Sequence, residues 1–581
     1  MAIIIGVGAG LGAIAFRYLI LWFTMVFTGH WDYSASGHQI NPLFPPLGTW
    51  FVVLVPVVGG LVYGPLIQRF AKEARGHGVP EVMLAVAKSG GRIRARVAVV
   101  KSLASAICIG SGGSVGREGP IVQIGSALGS AFGQAMRLPE SILRLLVACG
   151  AAGGISATFN APIAGVMFAL ELILRDFEAG SFGVVVLSSV AASVVGRTAF
   201  GSSAFLPLPA FELVSRWEYL LFAGLGLVSA LVGVTFIHVL YATEDFIDRV
   251  WRGPDWSRPA TGGVVLGLLL MALPQMYGVG YPVMERAIRG DYLVPLLLVL
   301  LGGKIVATSL TIGIGGSGGV FAPSMFMGAM MGTAYGRIAG MALPHVTGAA
   351  GAYGLVGMGA VFAAAARAPI TSVLIVFELT NEYKIILPLL FSVAVATGIG
   401  RVLARDTIYT TKLRRHGVDL RSARSPGPME SLHVGEAMQP VPAALPEELS
   451  LADAVGQFSR DRQDAFPVID PGGSYRGTIT ARIVDAALSD SAANLPIGRF
   501  AQSVPTLTID QTLAEALSQL VHDHVSGLPV LGADGRTVVG WLSHRDVLRA
   551  YQVHAEHQGM LSSGSHRSAP GPRMPSGRGR L

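Results

Sequence analysis

Charge is scarce in this 581-residue chain. Asp, Glu, Lys and Arg make up 14% of it, where a soluble protein carries about 25%. The shortage excludes a purely soluble enzyme and a disordered scaffold. Cysteine is scarcer still. Cys108 and Cys149 both lie in apolar runs, so there is no disulfide framework and no oxidising compartment is implied. Neither has a histidine near it in sequence, and no His-Glu-X-X-His pattern occurs. Intramembrane hydrolysis would need a nucleophile with its base, or a metal set. The chain is therefore read as no enzyme and as holding no metal. No basic stretch or small-residue cleavage site precedes the first apolar run, so residues 2–28 are expected to form a spanning helix and not a signal peptide.

Apolar residues, by contrast, make up 51% of the chain, and glycine is abundant at 75 residues. Residues 1–412 hold 27 basic and 19 acidic side chains; residues 413–581 hold 16 and 17. The first part reads as a membrane domain and the second as a soluble one. The net charge of +7 thus comes from the membrane part. That fits positive cytoplasmic loops and excludes a nucleic-acid partner. The second span is expected over about 48–70. The following loop carries Lys72, Arg75, Lys88, Arg92, Arg94, Arg96 and Lys101, which places it, and with it the soluble domain, in the cytoplasm. Long spans are expected at about 182–199, 216–243, 259–277 and 291–310. Segments 121–136 and 141–155 are too short for a simple crossing of about 20 residues. Mixed lengths cut by Gly and Pro suit broken helices around a protein-lined cavity.

The membrane part repeats itself. Gly113–Pro120 matches Gly316–Pro323 at an offset of 203, and glycines 125, 129 and 133 fall on 328, 332 and 336. Ala161-Pro162-Ile163 leading to Glu171-Leu172 matches Ala368-Pro369-Ile370 leading to Glu378-Leu379 at an offset of 207. Two related halves in a membrane domain point to a transporter with its site where the halves meet, at helix starts.

Gly116-Arg117-Glu118-Gly119-Pro120 stands between a glycine-rich turn and an apolar helix. Helix starts offer free N–H groups and a dipole that attract an anion. Glu118 is then a carboxylate at an anion site inside a membrane, where ionisable groups are costly and functional. Such a group can occupy the anion's place and leave when protonated or displaced, as a gate. The repeat mate, Gly319-Val320-Phe321-Ala322-Pro323, puts Phe321 where Glu118 stands. Gly76-His77-Gly78-Val79-Pro80 follows the same helix-start logic, with His77 either a donor to an anion or an ordinary loop histidine. Tyr409 could donate a hydroxyl.

These four motifs, in this order, resemble the CLC family of chloride channels and proton-coupled chloride transporters over residues 1 to about 413. The family's segments have the forms Gly-Ser-Gly-Ile-Pro, Gly-Arg-Glu-Gly-Pro, Gly-X-Phe-X-Pro and a late tyrosine. The resemblance implies an α-helical polytopic membrane protein with an inverted repeat, working as a homodimer in the lipid bilayer of the plasma (inner) membrane, with an anion path in each subunit. Glu118 would be the gate; Gly76–Pro80, Gly116, Arg117, Gly119, Pro120, Gly319, Val320, Phe321, Ala322 and Tyr409 would line the anion sites for chloride or a similar anion. His77 departs from the family's usual serine. It is larger and titrates near neutral pH, which leaves the preferred anion open. The position of the family's inner proton-relay glutamate falls on Leu172, preceded by Glu171. A leucine carries no proton, so the expectation is channel-like conduction, with proton-coupled antiport as the alternative. Glu171 is read either as an inner proton group or as a helix brace.

Past a linker at 414–432, a second repeat of about 62 residues appears: Phe466–Asp470 matches Leu528–Gly532, and Gly477–Thr480 matches Gly540–Ser543. The alternation of short strands and helices resembles a pair of α/β CBS domains, expected at 433–490 and 497–553, ahead of a disordered tail at 554–581. Such pairs bind adenosine nucleotides through a Ser/Thr and an Asp three residues on. Ser543 and Asp546 fit that pattern; Thr480 and Ile483 do not. His522-Asp523-His524 is set aside as a metal site, because side chains two apart on a helix diverge.

Overall fold

A computed structural model describes the chain up to residue 563, except residues 35, 36, 38, 43, 44, 202–213, 416, 419–428, 430, 431, 442, 462, 463, 490, 491, 523 and 524. Residues 523, 524 and 564–581, and most of the expected linker, lie outside the described set. The chain forms two units, Met1–Leu420 and Arg421–Leu581.

The first unit is all helix. Its first half comprises α1 (Ala2–Thr28), α2 (Phe51–Phe70), α3 (Val79–Lys88), α4 (Arg96–Gly110), α5 (Glu118–Ala135), α6 (Glu140–Phe159), α7 (Pro162–Phe168) and α8 (Ala179–Phe200). The second repeats that series as α9 (Glu218–Val250), α10 (Arg258–Ala272), α11 (Tyr281–Arg289), α12 (Val294–Gly313), α13 (Phe321–Ala342), α14 (Ala350–Ala366), α15 (Pro369–Thr380) and α16 (Ile386–Leu403), followed by α17 (Thr410–Arg415). Among the described residues seven helical segments are long and apolar enough to cross a membrane. Two expected lengths are corrected. Residues 141–155 belong to a 20-residue helix, α6, which is long enough to span. The span expected at 259–277 is a helix of 15 residues, ended at Ala272 ahead of Pro274.

Glycine sets the packing of the halves. A Cβ on Gly125 would lie 2.1 Å from the Gly150 carbonyl oxygen, and one on Gly150 2.0 Å from that of Gly125. Their mates, Gly328 and Gly357, are crossed in the same way at 2.2 and 2.4 Å. Both helix pairs, α5 with α6 and α13 with α14, therefore touch backbone to backbone, the close approach that small residues permit between membrane helices. The repeat is inverted. Glu378, near the end of α15, accepts from the Ile163 and Ala164 N–H groups at the start of α7, at 3.0 and 2.7 Å. Glu171, in the π-helical turn that continues α7, accepts from the Ile370 and Thr371 N–H groups at the start of α15, at 3.2 and 2.8 Å. Each helix end caps the other helix's start, so α7 and α15 run antiparallel.

The second unit contains two small sheets, β1 (Leu445–Pro446), β2 (Ala465–Ile469) and β3 (Tyr475–Thr480), then β4 (Leu507–Thr508), β5 (Gly527–Leu531) and β6 (Val538–Ser543). In each, the first pair is parallel and the second antiparallel. The core assignments differ from sequence order. Val434 and Ala437 pack with Leu507, Leu528 and Leu542 of the second sheet. Ile497 packs with Phe466 and Ile479 of the first, and Thr478 pairs with Gln502. The leader of each repeat thus completes the other's core. The last helix runs from His544 to Ser563, so the disorder expected from residue 554 does not begin there.

Candidate anion site and gate

Three loops converge where the halves meet: those before α3, α5 and α13. Backbone hydrogen bonds lace them together. The Gly76 N–H donates to Gly316 O at 3.0 Å, and Gly318 N–H to Gly76 O at 3.2 Å. Gly116 and Gly319 exchange N–H···O bonds at 2.7 and 2.6 Å. The N–H groups of Gly76, Gly116 and Gly319 are therefore spent on holding the loops. This corrects their expected role as anion donors. Their contribution is close approach, which is strictest at the neighbouring Gly119: a Cβ there would lie 1.9 Å from His77 O and 3.0 Å from Gly319 Cα. The N–H groups of Val320 and Phe321 at the start of α13 make no backbone bond to another loop among the described residues.

Glu118 is the first residue of α5 and is buried. Its side chain folds back over its own helix start. Oε1 accepts from the Tyr281 hydroxyl at 2.5 Å. Oε2 accepts from the Ala322 N–H at 3.3 Å and lies against Gly116, where a Cβ would come within 2.0 Å of it. The carboxylate of the first half thus occupies a seat built from a helix-start N–H and a tyrosine hydroxyl of the second half. An aromatic collar surrounds it. The Phe321 ring lies 4.3 Å from Phe362 and 5.9 Å from Phe159, and the Arg117 guanidinium sits 5.1 Å from the Tyr281 ring centre. Arg117 and Tyr281, with Arg17, Asp32 and Asn160, line a cavity of about 390 Å³ that reaches the 29–34 side of the domain. Residues 29–34 follow α1, and the basic stretch that begins at Lys72 follows the far end of α2.

Tyr281 was not among the candidates read from the sequence. A signal was present. Gly278-Val279-Gly280-Tyr281-Pro282 is the mate, at an offset of 202, of Gly76-His77-Gly78-Val79-Pro80. Its tyrosine is invisible as a latch until the fold brings it 163 residues back to Glu118.

His77 stands at the other helix start, before α3. It is buried, and neither ring nitrogen has a partner among the described residues. Its ring centre is 6.3 Å from that of Tyr241. Lys412 Nζ pairs with Glu81 at 2.5 Å and lies beside Gly76. Tyr409 is buried, and its hydroxyl has no protein partner among the described residues. It is held by its neighbour: the Tyr241 hydroxyl donates to Ile408 O at 2.6 Å. His77 and Tyr409 therefore both offer unspent hydrogen-bonding groups in a buried, cation-flanked region, which suits an anion.

Two other expected residues are occupied. Both oxygens of Glu171 accept from the start of α15, and the Thr371 hydroxyl adds a third bond at 2.7 Å. These bonds are those of a helix brace, one of its two readings. Ser543 and Asp546 bond to each other. The Ser543 hydroxyl and N–H donate to Asp546 Oδ2 at 2.6 and 3.0 Å, and the Asp546 N–H returns to Ser543 Oγ at 3.4 Å. That is a reciprocal cap on the helix starting at His544.

The family described as voltage gated chloride channel matches residues 59–401, and the CBS domain family matches residues 434–490 and 498–553. The ClcB-like chloride channel protein of Ralstonia nicotianae is 34% identical over 420 residues, covering 72% of this chain and 96% of that protein. The H(+)/Cl(-) exchange transporter ClcA of Vibrio campbellii is 35% identical over 426 residues, covering 71% and 88%. Among solved structures, a slow cyanobacterial Cl-/H+ antiporter superposes with a TM-score of 0.65 at 26% identity, covering 71% of this chain and 96% of its own. With laced helix-start loops, a seated glutamate and an inverted repeat in place, the chain belongs to the CLC family of membrane anion transporters and carries a C-terminal CBS pair.

Proposed function

We propose that this protein is a proton-coupled chloride antiporter in which Glu118 is both the gate and the carrier of the proton. The observation that carries the reading is the seat itself. The carboxylate rests on the Ala322 N–H and the Tyr281 hydroxyl, donors that suit chloride equally. An anion and an ionised Glu118 compete for one place, and protonation releases the side chain. Relatives described as exchangers support coupled transport over the channel-like conduction expected from Leu172. Partial charges, without a full cation at the seat, hold the ion weakly enough for it to leave. Chloride enters through the cavity lined by Arg117, read as the outer vestibule, and is passed between helix starts toward His77 and Tyr409.

The reading includes a homodimer in the inner membrane, with the CBS pair in the cytoplasm. Nucleotide regulation through that pair rests on Ser543 and Asp546, whose reciprocal cap must open to receive a ribose. The deciding experiment is the reversal potential of the reconstituted protein, with the chloride gradient fixed and the proton gradient varied. A shift in fixed ratio with the proton gradient is expected. A potential that follows chloride alone would return the protein to passive conduction.

A further inference from the structure

Lys304 lies on α12, outside the anion path, and is wholly buried. It forms no ion pair among the described residues. Burying an ammonium is costly unless every proton finds an acceptor. Here each does: Nζ donates to Ser114 Oγ at 2.9 Å, Gly278 O at 3.0 Å and Val279 O at 3.1 Å. The partners are telling. Ser114 sits in the loop that leads into Glu118. Gly278 and Val279 begin the turn that carries Tyr281. One ammonium therefore ties the gate's loop to the turn of its latch.

The repeat supplies an internal control. Lys101, at an offset of 203 from Lys304, is equally buried and donates to Ala74 O at 2.9 Å and Gly76 O at 2.8 Å. It holds the turn of the mate motif in the same manner. That turn carries His77 where the other carries Val279, and Val79 where the other carries the tyrosine. Both halves use a buried lysine as a post for a Gly-X-Gly-X-Pro turn, but only the Lys304 post serves a residue that touches the gate.

We propose that Lys304 is a positioning residue for the gate, holding the Tyr281 hydroxyl against Glu118 and so setting how readily the closed state opens. The inference rests on the reading of Glu118 as a pH-dependent gate. The groups facing Glu118 are Arg117 from its own loop, Tyr281 from α11, Lys304 from α12 and Tyr409 ahead of α17.

The test measures chloride flux from liposomes against external pH. A hydrogen bond to a charged acceptor corresponds to roughly one to two decades in an equilibrium. Tyr281→Phe should therefore move the opening midpoint up by about one to two pH units, because the ionised carboxylate loses its donor. Lys304→Met should move it in the same direction. The double variant should move it no further than the larger single shift, since Lys304 acts through Tyr281. Lys304→Arg, which keeps charge and donors, should restore most of the wild-type profile. Should Lys304→Met not assemble, Lys304→Gln carries the same comparison. An unmoved midpoint in Tyr281→Phe or in the Lys304 variants overturns the proposal, as does a double variant whose shift equals the sum of the two. If Glu118→Gln leaves the pH profile intact, the gate reading itself fails, which is a distinct result.

Discussion

Replacing Glu118 by glutamine keeps the shape of the side chain and removes its charge and its titration. In the closed seat the carboxylate accepts a hydroxyl proton at 2.5 Å and an N–H at 3.3 Å. A hydrogen bond to a charged group contributes about 1.5–3 kcal/mol. The longer of the two contacts lies beyond the usual N–H···O range of about 2.7–3.2 Å, so the short one dominates. The charge-assisted part of the seat is then worth roughly 2 kcal/mol, about a thirtyfold bias toward closure. An amide accepts more weakly and takes up no proton near neutral pH. Chloride efflux from liposomes loaded with Glu118→Gln should therefore continue and lose its pH dependence. Proton movement, followed with a pH electrode in the same vesicles, should fall to the level of empty liposomes. Proton flux that persists in a fixed ratio to chloride would refute the reasoning, because the proton would then travel by a route that avoids the gate.

Gly119→Ala should abolish transport while the protein still inserts, since its Cβ would meet backbone atoms of two other loops at 1.9 and 3.0 Å; wild-type flux would show that the loops are not laced so tightly. Glu378→Gln should lower thermal stability by about 1 kcal/mol, the cost of weakening two half-buried hydrogen bonds, and leave the proton-to-chloride ratio unchanged; a changed ratio would make this residue part of the transport path. His77→Ala removes a buried donor and should weaken chloride binding severalfold by calorimetry on the purified protein, with His77→Ser recovering part of the loss; unchanged affinity in both would detach His77 from the anion. Calorimetry with ATP, ADP and AMP on the full chain should lose any nucleotide heat in Asp546→Ala; heat that survives that change would place the nucleotide elsewhere.

Much of this protein is legible along the chain. Low charge and long apolar runs compel a membrane domain, because the bilayer tolerates little else. The matched glycines at an offset of 203 and the Ala-Pro-Ile to Glu-Leu match at 207 reveal two related halves before any coordinate is known. Gly-Arg-Glu-Gly-Pro singles out Glu118 as the candidate gate, since a carboxylate at a helix start inside a membrane has few other uses. Periodicity and composition could not say which groups are already satisfied. Only the fold shows that Gly76, Gly116 and Gly319 spend their N–H groups on one another, and that Glu171 is committed to the start of α15. The exchanged leaders of the CBS pair were hidden for the same reason, because Val434 meets Leu507 only through folding. Tyr281 and Lys304 lie 163 and 186 positions from Glu118. Local sequence fixes which helix starts exist and what charge they attract. Which donor reaches which acceptor depends on long-range packing, and that is where the latch on the gate is made.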